Sequence, residues 1–160
     1  KDYTSLMPTN LYGYNDNFDL NSSHVLPAMI RKFHEAKENN NRSVILWGSG
    51  TPMREFLYVD DLAQAVVYAL EKKLPEYLYN VGTGKDITIK ELAETVQKAV
   101  GHKGKIIWDN SKPDGTPRKL MDTSKMKDMG WTYSTELDQG IEKTYRWFLE
   151  NINNFKEVKL

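Results

Sequence analysis

The chain of 160 residues contains no cysteine. That excludes a disulfide scaffold and cysteine-ligated zinc. No apolar run approaches the ~18 residues that span a bilayer, and no signal-peptide pattern opens the sequence given. Neither sign of charge is in surplus, since 22 basic side chains face 22 acidic ones. Such a balance argues against nucleic acid or an anionic membrane as the main partner. The cytosol is the default compartment. There is no fixed-period repeat, low-complexity tract or dividing linker. What is present, 39% hydrophobic and 28% charged residues, is the composition of an ordinary soluble globule able to bury a core.

Patterning then gives an element order. Tyr3 to Met7 reads as a strand stopped by Pro8, and residues 9–23 as a polar loop. Leu26, Met29, Ile30 and Phe33 recur at helical spacing and predict a helix over Val25 to Glu38, with Pro27 in its first turn. Strands are expected at Val44 to Trp47, Glu55 to Val59, Tyr77 to Val81 and Lys105 to Trp108. A helix from Asp60 to Lys73 has Asp61 and Gln64 at capping-box spacing and an apolar face of Leu62, Ala65, Val66, Ala69 and Leu70. Thr88 to Glu91 is a second capping box, with Ile87 and Leu92 as its staple and Gly101 as the stop. Residues 109–122 read as an irregular basic loop, Ser124 to Met129 as a helical turn, and Thr135 to Asn151 as a last helix. Alternation of this kind argues α/β.

Several motifs fail on their mechanics. Gly48-Ser49-Gly50 starts like a dinucleotide fingerprint, but Met53 replaces the third glycine and a strand follows. Gly82-Thr83-Gly84-Lys85 resembles a phosphate loop, but Asp86 replaces the Ser or Thr that would hold magnesium. Tyr68 and Lys72 match a Tyr-x-x-x-Lys pair at the frequency that chance provides, with no glycine fingerprint upstream. His24, His34 and His102 lack zinc-site spacing. His34 and His102 read as surface residues. His24 ends a long loop and opens a helix, which suits either a cap or a side chain held at a cleft.

Two stretches carry chemistry. Trp47 to Arg54 offers a flat ring beside a glycine-rich turn, for a base or sugar, and an arginine for a phosphate. It reads equally as a core tryptophan with a surface ion pair. Ser111 to Lys119 stiffens three cations and one carboxylate between two prolines, around a Pro113-Asp114-Gly115 turn. It suits a diphosphate and a hydrogen-bond donor, or is a solvated loop.

Taken together, a wider set resembles one family. The set is Pro8-Thr9-Asn10-Leu11-Tyr12-Gly13, Asp16-Asn17-Phe18, Ser23-His24-Val25, Trp47 through Phe56, Val59 through Ala63, Asn80 through Gly84 and Lys112 through Lys119. It resembles the GDP-L-fucose synthase family (GDP-4-keto-6-deoxy-D-mannose epimerase/reductases), which are extended short-chain dehydrogenase/reductases. The likeness runs to about Phe155. Arg54 to Ala63 is shared by many nucleotide-sugar enzymes, whereas Trp47 to Arg54 with Lys112 to Lys119 is narrower. Tyr14 departs from the proline usual there, and the Lys73–Glu76 connection is short.

The resemblance implies the C-terminal half of such an enzyme. The expected fold is its α/β substrate-binding portion, with the last strands and a helix of an incomplete Rossmann domain. Residues of about 12–58 and 84–155 would bind substrate, and about 1–11 and 59–83 would belong to the NADP-binding domain. The family's glycine fingerprint and its catalytic Ser, Tyr-x-x-x-Lys and Cys would precede Lys1. The opening Lys1-Asp2-Tyr3, without methionine and running at once into a strand, fits a fragment. The resemblance places Pro8, Thr9, Asn10, Leu11 and His24 at the cofactor, NADP. It makes His24 the acid partner of an upstream cysteine in C3/C5 epimerisation, before the C4 ketone is reduced. It puts the GDP-sugar against Lys32, Trp47, Arg54, Asp114 and Lys119, and implies a homodimeric parent. The 160 residues alone are expected to lack reductase activity and to expose apolar surface. A non-catalytic binding module and a UDP- or dTDP-sugar epimerase are the alternatives.

Overall fold

The computed structural model describes residues 3–152. Lys1, Asp2 and the reach of the resemblance to Phe155 lie outside them. The chain runs β1 (Ser5–Pro8), β2 (Asn10–Tyr12), α1 (Val25–Glu38), β3 (Ser43–Trp47), β4 (Met53–Tyr58), α2 (Val59–Lys72), β5 (Leu78–Val81), β6 (Asp86–Thr88), α3 (Ile89–Val100), β7 (Lys105–Asp109), β8 (Arg118–Lys119), α4 (Ser124–Asp128) and α5 (Leu137–Asn151). The α/β expectation holds.

Three small sheets result. β1 pairs with β5 in parallel, and β3 with β7 in parallel. β4 carries β2 and β8 in parallel and β6 antiparallel. β1 and β2 form one extended stretch that changes partner at Thr9. Its backbone N–H still donates to Val81 O of the first sheet at 3.0 Å, while its hydroxyl reaches Glu55 O on β4 at 3.3 Å. This continuation explains why the loop expected over 9–23 begins with a strand. The three-residue β2, with no room for a full alternation, leaves no periodic signal. β6 and the two-residue β8 escaped for the same reason. Both are strands only because β4 supplies their hydrogen-bond partners.

Two cores follow. Leu26, Ile30 and Phe33 of α1 meet Leu92, Val96 and Val100 of α3 and Ile141 and Phe148 of α5, over Val44 and Phe56. A smaller cluster joins Leu57, Ala65, Leu74, Tyr79 and Val81 to Met126 and Trp131. The periodic faces of α1 and α3 thus do what their spacing implies. The capping box at Thr88 is present, with Glu91 N donating to Thr88 Oγ1 at 3.1 Å and Thr88 N to Glu91 Oε2 at 2.8 Å. Gly101 closes the helix in the left-handed region.

α2 departs from its expected face. Ala65 is buried, but Val66, Val67 and Leu70 are exposed, Leu70 at 75%. With Tyr3, Leu6, Leu74 and Tyr77, Val66 and Leu70 border an open groove of about 690 Å³. The two-stranded parallel sheet beside it has no further strand among the described residues, whereas parallel strands are ordinarily covered on both sides. The apolar surface expected from the sequence is therefore present.

Two outcomes check these statements. Thr88→Ala should lower stability by about 1 kcal/mol, read as the urea midpoint with an unchanged slope. The chain should bind a hydrophobic dye and self-associate with rising concentration, and Leu70→Glu with Val67→Glu should weaken both effects.

Candidate functional site

The segment Arg54 to Asp61 contributes side chains to three places. Glu55 is fully buried. Its Oε1 accepts from Gly84 N at 2.7 Å and Thr83 Oγ1 at 3.4 Å, and its Oε2 from Met121 N at 3.1 Å. Gly82 is required beside it, because a Cβ there would stand 2.2 Å from Oε1. This is the positive reason why Gly82-Thr83-Gly84-Lys85 is no phosphate loop: the Gly84 N–H already serves an anion of the protein's own. Glu55 O accepts from the side chain of Asn10 at 2.7 Å as well as from Thr9.

Asp61 was expected to cap α2 and does not. The helix has no side-chain cap bond. Asp61 instead accepts from Ser134 N at 3.0 Å, Ser134 Oγ at 2.7 Å and Thr135 N at 3.1 Å. Lying in the first turn, it points sideways into the segment leading to α5 and ties that segment to α2. The Tyr68 hydroxyl donates to Met129 O, and the Lys72 ammonium sits 5.8 Å from the Tyr68 ring centroid. The Tyr-x-x-x-Lys match is thus structural.

Arg54, on the opposite side of β4 from Glu55, borders a cavity of about 590 Å³ with Thr9, Asn10, Leu11, Asp16 and His24. The site lies just past the end of β1, where one strand leaves one parallel sheet for another. Such switch points leave a crevice at strand ends. His24 is the residue before α1 and makes no side-chain cap bond, so its ring is exposed and uncommitted to the helix. Pro8 ends β1 opposite Val81 and is not part of the cavity wall.

A second cluster sits around Trp47. The ring is 66% exposed, which removes the core-tryptophan alternative. The ammonium groups of Lys32 and Lys112 each lie 5.4 Å from its centroid, within range of cation–π attraction. Burial lowers the Lys32 ammonium from its ordinary range, and its Nζ reaches Ile45 O at 3.5 Å. Lys112 is one of the three loop cations that the sequence offers to a diphosphate; its place over Trp47 is hidden by their separation in sequence.

Asp114 joins the two expected stretches. Its Oδ1 accepts from Ser49 N at 2.9 Å and its Oδ2 from Ser49 Oγ at 2.7 Å. Gly48, at φ 80°, makes the turn possible and leaves room for the carboxylate, 2.4 Å from where a Cβ would stand. The Ser49 hydroxyl, and then its N–H, hold the Asp114 carboxyl below the usual carboxylate range. Arg54 and Lys119 are register partners on β4 and β8, so their side chains leave the sheet on the same face. Among the described residues neither forms an ion pair, whereas Arg118 is held by Asp86 at 2.6 and 3.1 Å.

The structure therefore brings Thr9, Asn10, Leu11, His24 and Arg54 together. Lys32 and Trp47 gather separately, and Asp114 and Lys119 lie on the strap linking the two groups through Arg54. His34 and His102 are buried rather than on the surface. His34 Nδ1 is 3.1 Å from the Tyr145 hydroxyl, and His102 Nε2 is 3.0 Å from Asn41 O. Both pack against aromatic rings that their polar neighbours in sequence did not announce. Among the described residues no three acidic or histidine side chains form a metal cluster, and no helix is long and apolar enough to cross a membrane.

A crevice at a strand switch point, bordered by an exposed histidine and an arginine, is the kind of place where α/β scaffolds commonly hold small molecules. The chain belongs to the NAD dependent epimerase/dehydratase family, which residues 1–82 match. Its curated relatives are more particular. It is 56% identical over 156 residues to the putative GDP-L-fucose synthase 2 of Arabidopsis thaliana, covering 98% of this chain and 48% of that protein. It is 51% identical over 165 residues to the GDP-L-fucose synthase of Escherichia coli K12, covering 98% of this chain and 51% of that one. The NADP-bound GDP-L-fucose synthetase of Naegleria fowleri superposes with a TM-score of 0.86 at 32% identity, covering 94% of this chain and 48% of that chain. The chain spans about half the length of the curated relatives it matches.

The Asp114 contacts give a pH prediction. A carboxyl lowered in the folded state stabilises fully above its unfolded value and loses that contribution as pH falls through the lowered value. The strap should thus loosen only below about pH 4. Ser49→Ala should flatten the acid limb of the urea midpoint plotted against pH, while leaving the neutral limb parallel to the unmutated chain.

Proposed function

We propose that this chain supplies the sugar-nucleotide-binding part of an NADP-dependent epimerase/reductase that converts GDP-4-keto-6-deoxy-D-mannose to GDP-L-fucose. The observation that carries the reading is Arg54. It borders the His24 cavity and stands beside Lys119 under the Asp114 strap, so a diphosphate there would lie between a proton donor and the Trp47 cluster. Relatives named GDP-L-fucose synthase, at 51–56% identity, support it.

The chemistry divides among the residues accordingly. Arg54 and Lys119 neutralise the diphosphate, Arg54 with a planar fork suited to it. Trp47, between Lys32 and Lys112, offers a face to the base or ribose. The 4-keto group acidifies the hydrogens on C3 and C5. His24 returns a proton to the carbon after its removal, and a histidine suits that task near neutral pH. Thr9, Asn10 and Leu11, in the cavity wall past the end of β1, fit the border of a nicotinamide, with Pro8 adjoining. NADP, when bound, supplies hydride for the C4 ketone. The 160 residues hold no glycine fingerprint for its phosphates. In the same reading 12–58 and 84–155 serve substrate, 1–11 and 59–83 serve the cofactor side, and the enzyme is a cytosolic homodimer.

Thermal unfolding with GDP, UDP, ADP and dTDP tests the proposal. GDP at 100 times its dissociation constant should stabilise by about 2.7 kcal/mol, and Arg54→Met should remove most of that gain. Equal stabilisation by UDP or dTDP would favour a different sugar epimerase, and no response to any nucleotide would sink the reading.

A further inference from the structure

The loop that delivers His24 is held by its own side chains. Asp19 Oδ1 accepts from Asn21 N, Ser22 N and Ser22 Oγ, each at 3.0 Å. Asn17 receives Asp19 N at 3.0 Å and donates to Ser22 Oγ at 3.0 Å. Phe18 is buried at 1%, and Arg31 grips its carbonyl at 3.2 Å. This loop places two ionisable residues at the border of the cavity, Asp16 and His24.

Asp16 is engaged on one side only. Its Oδ1 accepts from Asn17 N at 2.8 Å. Its Oδ2 is buried and, among the described residues, has no hydrogen-bond partner. The other charges around the cavity are positive. Arg54 enters from β4. The N-terminal end of α1, which has no acidic residue in its first turn, adds its dipole through Val25, Leu26 and Pro27. Glu55, next along β4, is turned away to Gly84 and Met121. Asp16 is the one carboxylate in the described cavity wall. An opposite charge nearby favours a cation, and in this wall Asp16 alone supplies one.

We propose that Asp16 is a positioning residue for His24, a half-buried carboxylate that holds the imidazole in its protonated, proton-giving form against the positive charge across the cavity. The role rests on His24 acting as the acid in the reaction proposed above. In that step an imidazolium N–H bond breaks, a C–H bond forms on the sugar carbon, and neutral imidazole remains while Asp16 keeps its charge. Burial raises the Asp16 carboxyl, the Asn17 N–H opposes this, and the charge of His24 opposes it further. Such an interaction between two titrating groups is mutual.

The test uses the chain without any nucleotide. Diethyl pyrocarbonate acylates neutral imidazole, and His34 and His102 are buried, only 8% and 6% exposed, so the fast phase reports His24. In Asp16→Asn the midpoint of reactivity against pH should fall by about half a pH unit, about threefold in the ratio of protonated to neutral imidazole. A midpoint that stays put overturns the proposal. A second variant removes the dependence on how Asp16→Asn folds. His24→Gln changes an exposed side chain, and the Asp16 carboxyl carbon, followed by NMR, should then titrate higher by a similar amount. An unmoved Asp16 overturns the proposal equally. Because GDP takes no part, failure here is separate from failure of the nucleotide test.

Discussion

The buried carboxylate of Glu55 is the contact on which the arrangement depends. A carboxylate in an interior is costly unless its oxygens are met by donors. Here those donors come from two separate stretches, Gly84 with Thr83 after β5, and Met121 after β8. The backbone of the same residue anchors Thr9 and Asn10. One residue therefore fixes three places: its backbone carbonyl where the strand from β1 to β2 changes sheets, and its carboxylate where the turn after β5 closes and the segment after β8 returns. Truncating it would strand several inward-facing donors at once, which is a larger loss than one hydrogen bond.

Glu55 also decides the sidedness of the site. Successive residues in a strand face opposite ways. With Glu55 directed to the protein interior beside Gly82, Arg54 must leave by the other face. There it meets the cavity wall and, through the register with β8, Lys119. Asp114 extends the same logic outward. By accepting two donors from Ser49 it binds the loop of 111–119 to the glycine turn, and so sets Lys112 over Trp47. The result is a positive surface on a chain whose formal charge is zero. The cations gather locally, while carboxylates such as Asp86, Asp61 and Glu55 are spent on internal partners.

The exposed half of α2 and the open edges of the β1–β5 sheet sit at the other end of this scheme. Leu70, Val67 and Tyr77 are apolar side chains in water. The cavity with His24 has charged and apolar walls and is bordered by a loop tied by its own side-chain hydrogen bonds. The molecule thus separates an apolar face, suited to burial against further protein, from a charged crevice suited to a small anionic ligand.

Much of this was written locally. The helices α1 and α3 were legible because one face repeats at 3.6 residues, and the Thr88 box because its two partners are three residues apart. Trp47, Arg54 and Asp114 stood out because ring, guanidinium and carboxylate sit in turns that glycine and proline announce. Tertiary structure alone decided the rest. β2, β6 and β8 are strands because β4 supplies their partners. Asp61 turned from cap to cross-tie because Ser134 and Thr135 came within reach. His34 and His102 went inside because Tyr145 and Phe148 of α5 packed over the first and Phe33 of α1 over the second. Asp16 gained its interest only when the folded loop set it in the wall with His24. Sequence determines what a residue can do with near neighbours; which distant donor or charge it meets is set by how the chain closes.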